Sequence, residues 1–143
     1  MAINQITVFL ENKDGNLSNI TKIISENKID MRAINIAETA DYGLLRIIVD
    51  DSEKAVKILK ENGYITTSTP VVAATVSNEP GGLNSMLEIL ANENIGINYM
   101  YSIFGTIESN AYMALHVNDV AKTEEILVKN GIKVANTADL AIK

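Results

Sequence analysis

The chain has 143 residues, a formal charge of −6 and no cysteine, with 47% hydrophobic and 21% charged residues. This composition is typical of a globular protein with a real core. The negative charge argues against nucleic-acid binding, and the lack of cysteine excludes disulfides and thiolate metal sites. Neither a signal peptide nor an apolar run of about 18 residues is present, so we expect a cytoplasmic protein with no membrane contact.

Hydrophobic periodicity predicts six elements in the first half of the chain. Short β-rich runs alternate with segments whose apolar residues recur at helical spacing. Asp51 is placed to cap the second helix, and Asn62-Gly63 to end it in a left-handed turn. In chain order the expected elements are a strand at 6–10, a helix at 17–27, strands at 31–38 and 43–49, a helix at 52–62 and a strand at 64–68.

The second half of the chain repeats the first. Two stretches match their counterparts at shifts of 66 and 68 residues, and the longer one has seven identities in twenty positions. The change in shift places a two-residue insertion between Ser102 and Tyr112, where we expect a loop. The matching stretches are 15–29 with 81–95 and 44–63 with 112–131. The expected elements are strands at 71–77, 97–106, 112–117 and within 132–142, and helices at 83–94 and 120–130.

The element order predicts the fold class. The order β-α-β-β-α-β is that of the ferredoxin-like unit, an antiparallel sheet with two helices on one face. We therefore expect an α+β protein with two such units, at 1–69 and 70–143. Each unit is small for independent stability, and only Thr69-Pro70 separates them. The units are expected to cover each other and to unfold in one transition, and residues 1–69 to fold poorly alone.

The residues do not assemble into a recognisable catalytic site. The one histidine, His116, lies in a predicted strand on the face opposite Met113, Leu115 and Val117, so it is interpreted as a structural or surface residue. The carboxylates near helix starts are interpreted as caps and solvated surface. The sequence contains no P-loop and no G-x-G-x-x-G motif, and it offers no Ser-His-Asp arrangement. We therefore predict a protein that is not an enzyme and has no cofactor or metal.

Two loops, each joining a first strand to a first helix, are candidate binding segments. They lie at 12–17 and 78–83, and both contain asparagine and glycine. The backbone N–H groups at a helix start suit a carboxylate, and glycine lets a ligand approach closely. Asparagine accepts from an ammonium group or donates to a carboxylate. The tight turn alone explains the glycines equally well.

A third candidate segment, at 96–101, opens the second strand of the second copy. The polar Asn98 stands between Ile97 and Tyr99, and it needs a hydrogen-bond partner if it is buried. Met100 and the two tyrosines are suited to line an apolar pocket. A sheet face packed against the other copy explains Tyr99 and Met100 at least as well.

The segments Asn-Glu-Pro-Gly-Gly-Leu at 78–83 and Gly-Ile-Asn-Tyr at 96–99 resemble the ACT domain, a regulatory module that binds amino acids. Its hallmark is a loop ending in Pro-Gly before a helix, followed by a strand that opens with Gly-Ile/Val-Asn. The resemblance covers the whole chain, which looks like a stand-alone tandem ACT protein. The first copy departs from the pattern, because Asp14 stands where Pro is usual and Arg32 stands at the position of Asn98.

The resemblance implies a non-catalytic regulatory protein that binds a free amino acid or a close derivative between ACT units. In serine-sensing members, two asparagines hold the effector across a subunit interface, and Asn78 and Asn98 inherit their roles. The implied partners are an amino-acid-metabolism enzyme and a second copy of the chain in a homodimer. The expected ligand-binding residues are Asn12, Gly15, Asn16, Leu17, Arg32, Asn78, Gly81, Gly82, Leu83, Asn98, Tyr99, Met100 and Tyr101.

The two expected sites are not chemically equal. Loop 78–83 is expected to face 32–35, and loop 12–17 to face 98–101. The alternative is that the first copy pairs with the first copy of a second chain. Because Arg32 favours a carboxylate and repels an ammonium group, its site should prefer an acidic group. The Asn98 site should accept a neutral zwitterion and fill first, with one ligand per chain. The alternative is a structural or partner-binding ACT scaffold without a ligand of its own.

Overall fold

The chain folds into two compact units. The computed structural model describes residues 2–11, 15–38, 41–107 and 110–143, with the side chains of residues 105–107 left outside the description. The N-terminal unit comprises Asn4–Thr69 and Ala141–Lys143, and the C-terminal unit comprises Met1–Ile3 and Pro70–Leu140. Within the described ranges, none of the helices has the length and hydropathy that a membrane crossing requires.

The N-terminal unit has the predicted order of elements. They are β1 (Ile3–Glu11), α1 (Asn16–Glu26), β2 (Met31–Glu38), β3 (Tyr42–Val49), α2 (Ser52–Glu61) and the first residues of β4 (Thr66–Ser77). β1 and β2 both pair antiparallel with β3, and β4 lies on the other side of β1. The resulting order, β2-β3-β1-β4, is that of a ferredoxin-like sheet.

The C-terminal unit starts with the rest of β4 and repeats this pattern. Its further elements are α3 (Gly82–Asn92), β5 (Ile97–Ile107), β6 (Asn110–Val117) and α4 (Val120–Lys129). β4 and β5 both pair antiparallel with β6.

Both helices of each unit pack on the same face of its sheet. The apolar residues of the helices recur every three or four positions, so they form one stripe, and alternate strand residues complete the core. This confirms the predicted α+β class. The buried apolar helix residues are Ile20, Ile24, Ala55 and Leu59 in the N-terminal unit and Met86, Leu90, Ile126 and Leu127 in the C-terminal unit.

The predicted break between the two copies is absent from the described strand β4. The sequence predicts separate strands at 64–68 and 71–77, but β4 runs from Thr66 to Ser77 through Thr69-Pro70. Proline fits a strand wherever its missing N–H is not required by the ladder. The predicted interruption is therefore wrong.

The two-residue insertion lies in a bulge of β5 rather than in a loop. Ile103 pairs with Tyr112 and Thr106 with Ala111, so three steps along β5 match one step along β6. The two extra residues are Phe104 and the glycine that follows it. A bulge absorbs them without breaking the strand. The insertion was predicted in the right interval, and its predicted form as a loop was wrong.

The predicted final strand within 132–142 is reduced to one bridge, between Val134 and Ala74. Beyond it the backbone N–H of Asn136 donates to Asp139 Oδ2, and the N–H of Asp139 donates to Asn136 Oδ1, both at 2.9 Å. These reciprocal bonds close a turn, which is incompatible with a continuing strand. The same Asn136 N–H lowers the pKa of the Asp139 carboxyl below its usual value.

Helices α2 and α4 begin with an aspartate cap at equivalent positions of the repeat. Asp51 Oδ1 accepts the N–H of Lys54 at 3.2 Å, and Asp119 Oδ1 accepts the N–H of Lys122 at 3.0 Å. Gly63 follows the end of α2 with a φ of +85°. The cap and the left-handed turn predicted for α2 are both confirmed.

Removing one of these caps should have a measurable cost. We expect Asp119→Ala to lower the free energy of unfolding by about 1 kcal/mol, because the first turn of α4 loses an acceptor. Urea denaturation measures the change. Asp119→Asn is the matched control, since asparagine caps equally well and should stay near wild type. An equal loss in both variants would show that the cap is not the cause.

Candidate functional site

The helices that follow the two candidate loops begin without a side-chain cap. Their N-cap residues, Gly15 and Gly81, have φ values of +84° and +89°, and the described first turns of α1 and α3 contain no acidic residue. Asp51 and Asp119 occupy the equivalent positions before α2 and α4. Uncapped N–H groups at the positive end of a helix dipole are suited to bind a carboxylate.

A groove of about 620 Å³ opens along the loop between β4 and α3. This volume is in the range of small-molecule sites, which is roughly 300–1,000 Å³. Leu83, at the start of α3, is 40% exposed beside it. The groove brings three predicted residues, Asn78, Gly81 and Leu83, together with Asn84, Ala111 and Met113.

The turn itself requires the paired glycines of this loop. Gly81 adopts a left-handed backbone, and a Cβ on Gly82 would lie 2.1 Å from the carbonyl oxygen of Ser77. In the first copy Asn16 stands at the position of Gly82, and its Nδ2 donates to the carbonyl of Glu11 at 2.8 Å. The tight turn therefore accounts for the two glycines. The space above Gly81 is nevertheless open, with no atom within 4 Å of an added Cβ.

The other predicted loop residues of the first copy are only partly described. Asn12 lies outside the described residues, as does Asp14. Gly15 is exposed, and Leu17 is 36% exposed at the start of α1, in the position that Leu83 has in α3.

Asn98 lies in a bulge at the start of β5. The register passes from Ile97 paired with Val117 to Tyr99 paired with His116, so Asn98 is an extra residue on this strand. Bulges change the direction of a side chain.

Three polar side chains, Asn98, His116 and Asn118, form what we call the amide cluster. Asn98 Nδ2 lies 3.1 Å from His116 Nδ1 and donates to Asn118 Oδ1 at 3.0 Å. Tyr99 stacks on the imidazole with ring centroids 4.6 Å apart, and Tyr101 stacks on Tyr99 at 6.5 Å. His116 and Asn118 were not predicted as site residues. They could not be predicted without the antiparallel register of β5 and β6, which places His116 beside Tyr99.

The apolar residues after Asn98 do not line one pocket within this unit. Met100 packs against the buried core, whereas Tyr99 and Tyr101 stack on each other. Tyr101 is only 7% exposed. Successive strand residues point to opposite faces, so Met100 is directed away from the two tyrosines.

Arg32 is the extra residue of the equivalent bulge in the N-terminal unit, between Met31 and Ala33. Its Nη1 lies 2.5 Å from Asp30 Oδ2, and its side chain is 26% exposed. A carboxylate of its own unit therefore compensates part of the guanidinium charge. An acidic ligand at Arg32 would compete with Asp30.

The loop and the strand opening of one unit lie at opposite ends of its sheet. Ser77 pairs with Asn110, the first residue of β6, whereas Ile97 pairs with Val117, its last residue. At about 3.4 Å per residue, these seven steps correspond to roughly 24 Å. A free amino acid cannot span that distance. Asn78 and Asn98 of one unit therefore cannot hold the same ligand.

The described residues offer neither a metal centre nor a second histidine for one. Within the ranges the structure covers, no group of three or more acidic or histidine side chains is arranged to hold a metal ion.

The duplicated sheet-and-helix units, with a glycine loop before the first helix of each, define a tandem ACT-type protein. Comparison with family models agrees, and the chain belongs to the family described as the ACT domain pair, which matches residues 1–142.

Three solved structures are similar to the chain. Protein BT0572 from Bacteroides thetaiotaomicron is 35% identical with a TM-score of 0.91, over 99% of this chain and 96% of that one. The ligand-free regulatory subunit of aspartate kinase from Thermus thermophilus is 14% identical with a TM-score of 0.64, over 88% and 91%. The aspartokinase alpha and beta subunits are 17% identical with a TM-score of 0.61, over 88% and 90%. The last two share the fold. No curated protein matches the chain.

Proposed function

We propose that this chain is a non-catalytic regulatory protein that binds a free amino acid, or a close derivative, through its ACT units at 1–69 and 70–143. The observation that carries the proposal is the contrast among the helix starts. α2 and α4 have aspartate caps, whereas α1 and α3 have left-handed glycines and uncapped first turns. Membership of the ACT domain pair family supports the regulatory role.

The ligand carboxylate would bind the first-turn N–H groups of α3 or α1. These groups supply local positive potential in a chain whose formal charge is −6. The ammonium group would bind an asparagine side-chain oxygen. Because the loop and the strand opening of one unit are roughly 24 Å apart, each bound amino acid needs elements of a second ACT unit. Binding would then stabilise one arrangement of units and change the surface that a partner recognises.

The expected inequality of the two sites remains part of the proposal. The site with Asn98 and loop 12–17 would fill first, with one neutral amino acid per chain. The site with Arg32 and loop 78–83 would fill second, because Asp30 already engages the guanidinium. We further propose a cytoplasmic homodimer whose partner is an enzyme of amino-acid metabolism, in line with the aspartate kinase regulatory subunit that shares the fold.

A thermal-shift screen of the twenty amino acids tests the proposal. An amino acid at a hundred times its Kd should add about 2.7 kcal/mol of stability. For a chain of this size that raises the Tm by roughly 5–10 °C. The amine and the carboxylic acid that correspond to each active amino acid are the matched controls, and neither should shift the Tm comparably.

The alternative function is a structural or partner-binding ACT scaffold. The ion pair of Arg32 with Asp30 favours it, because it occupies the group that a ligand would need in the N-terminal unit. If no amino acid moves the Tm of the full chain, the scaffold replaces the sensor as the function.

A further inference from the structure

The amide cluster fixes which atom of Asn98 is left for a ligand. The Nδ2 group has two hydrogens, and its contacts to Asn118 Oδ1 at 3.0 Å and His116 Nδ1 at 3.1 Å use both. An imidazole nitrogen accepts a hydrogen bond only when it carries no proton. This arrangement therefore requires the tautomer of His116 that carries its proton on Nε2 and accepts at Nδ1. The remaining polar atom of the Asn98 amide is Oδ1, which only accepts.

We propose that His116 is the residue that sets the polarity of Asn98, so that the amide presents an acceptor and selects an ammonium group over a carboxylate. This inference rests on the proposed function, because it takes Asn98 as a contact of the bound amino acid. It gives the half-buried histidine a positioning role at the site. His116 and Asn118 act through Asn98 and need not touch the ligand.

The surroundings of the imidazole hold it in this orientation. The ring of Tyr99 on β5 stacks on it with an interplanar angle of 5°, which hinders rotation of the imidazole. On β4, Val72 pairs with Leu115, the residue that precedes His116 in β6. The nearest charged residue along the chain is Asp119, whose carboxylate caps α4.

Protonation of His116 should reverse the orientation of the Asn98 amide. An imidazolium carries N–H on both nitrogens, so Nδ1 becomes a donor. The Asn98 amide must then turn its Oδ1 towards His116, and Asn118 must turn with it. Asn98 would present Nδ2 to the ligand, which repels an ammonium group and suits a carboxylate. The site would therefore lose its zwitterion as the pH falls through the titration of His116.

The N-terminal unit lacks this device. At the shift of 68 residues, Ile48 stands at the position of His116 and Asp50 at that of Asn118. The bulge residue there is Arg32, a donor of fixed polarity. Control by a histidine is therefore specific to the C-terminal unit.

Nitrogen-15 NMR of the full chain tests the geometry without any ligand. His116 is the only histidine, so its ring signals need no assignment. At pH values where His116 is neutral, we expect the Nε2–H tautomer to predominate over the Nδ1–H tautomer. Asn98→Ala should reduce this predominance. A predominant Nδ1–H tautomer in the wild type would overturn the inference.

Binding measured by calorimetry with each of the twenty amino acids tests the consequence. For any amino acid that binds, the Kd should rise as the pH falls below the midpoint found by NMR, with a limiting slope of about tenfold per pH unit. His116→Gln supplies an acceptor that does not titrate, so it should retain binding and lose this pH dependence. His116→Phe keeps the stack on Tyr99 but lacks an acceptor, so it should weaken binding about tenfold.

The outcomes separate this inference from the proposed function. The role of His116 is overturned if His116→Phe binds as the wild type does, or if the pH dependence persists in His116→Gln. Either result leaves the proposed amino-acid sensor function intact. If the Nε2–H tautomer is present but no amino acid binds any variant, the proposed function fails and the ligand selection falls with it. If a variant does not fold, the tautomer and the pH dependence of binding measured on the wild type still test the role of His116.

Discussion

Gly82→Ala is expected to destabilise the C-terminal unit by on the order of 1–3 kcal/mol and to weaken amino-acid binding at loop 78–83. A Cβ at this position would lie 2.1 Å from the carbonyl oxygen and 2.9 Å from the carbonyl carbon of Ser77. Both are backbone atoms, so the strain is relieved only if the turn between β4 and α3 moves. Urea denaturation measures the stability, and calorimetry with the amino acids active in the screen measures the binding.

Gly96→Ala is the matched control for this prediction. Gly96 precedes β5, and a Cβ there would meet no atom within 4 Å. The substitution should change the free energy of unfolding by no more than about 0.5 kcal/mol. If Gly82→Ala were as mild as Gly96→Ala, the described packing of the turn against Ser77 would be wrong.

Asn98→Ala is expected to weaken amino-acid binding by about 1–3 kcal/mol while costing little fold stability. The loss leaves the ligand ammonium without its acceptor. The fold is spared because Asn98 is exposed and lies in a bulge of an edge strand. Calorimetry on wild type and variant gives the difference in affinity.

An exposed asparagine at the end of α3 provides the control for that experiment. Asn92 is exposed and lies outside both motif segments of the sequence, so Asn92→Ala removes the same kind of side chain and should bind as the wild type does. Unchanged affinity in Asn98→Ala would show that Asn98 serves only the sheet and the amide cluster.

Most elements were predictable because each buries one face on a local core. The alternation of β6 identified Met113, Leu115 and Val117 as core residues and His116 as their opposite, which the structure bears out. The duplication strengthened each prediction, since two copies of a pattern had to agree. Asp51 was predictable as a cap because an N-cap depends on residues within one turn.

The errors arose where distant partners decide the local structure. Proline at 70 signals a break, yet β4 continues through it. Residues 132–142 are apolar enough for a strand, but the reciprocal bonds of Asn136 and Asp139 close a turn instead. The insertion became a bulge because β5 kept its pairing with β6 on both sides of it.

The amide cluster escaped prediction for the same reason. Its members are 18 and 20 residues apart in sequence, and only the register of β5 on β6 brings them together. The two loops, in contrast, were identifiable from short motifs. The sequence does not show that loop 78–83 lies far from the strand opening at 96–99. That distance follows only from the structure, in which β4 and β5 pair with β6 so that the two segments lie at its opposite ends.

The most direct test of the sensor function is a nitrogen-15 NMR titration of the full chain with the amino acid that gives the largest Tm shift. We expect saturable shifts of backbone amides in the loop and first turn of α1 or α3, together with the side-chain amide of Asn98. Shifts confined to other surfaces, or none with any of the twenty amino acids, would contradict it.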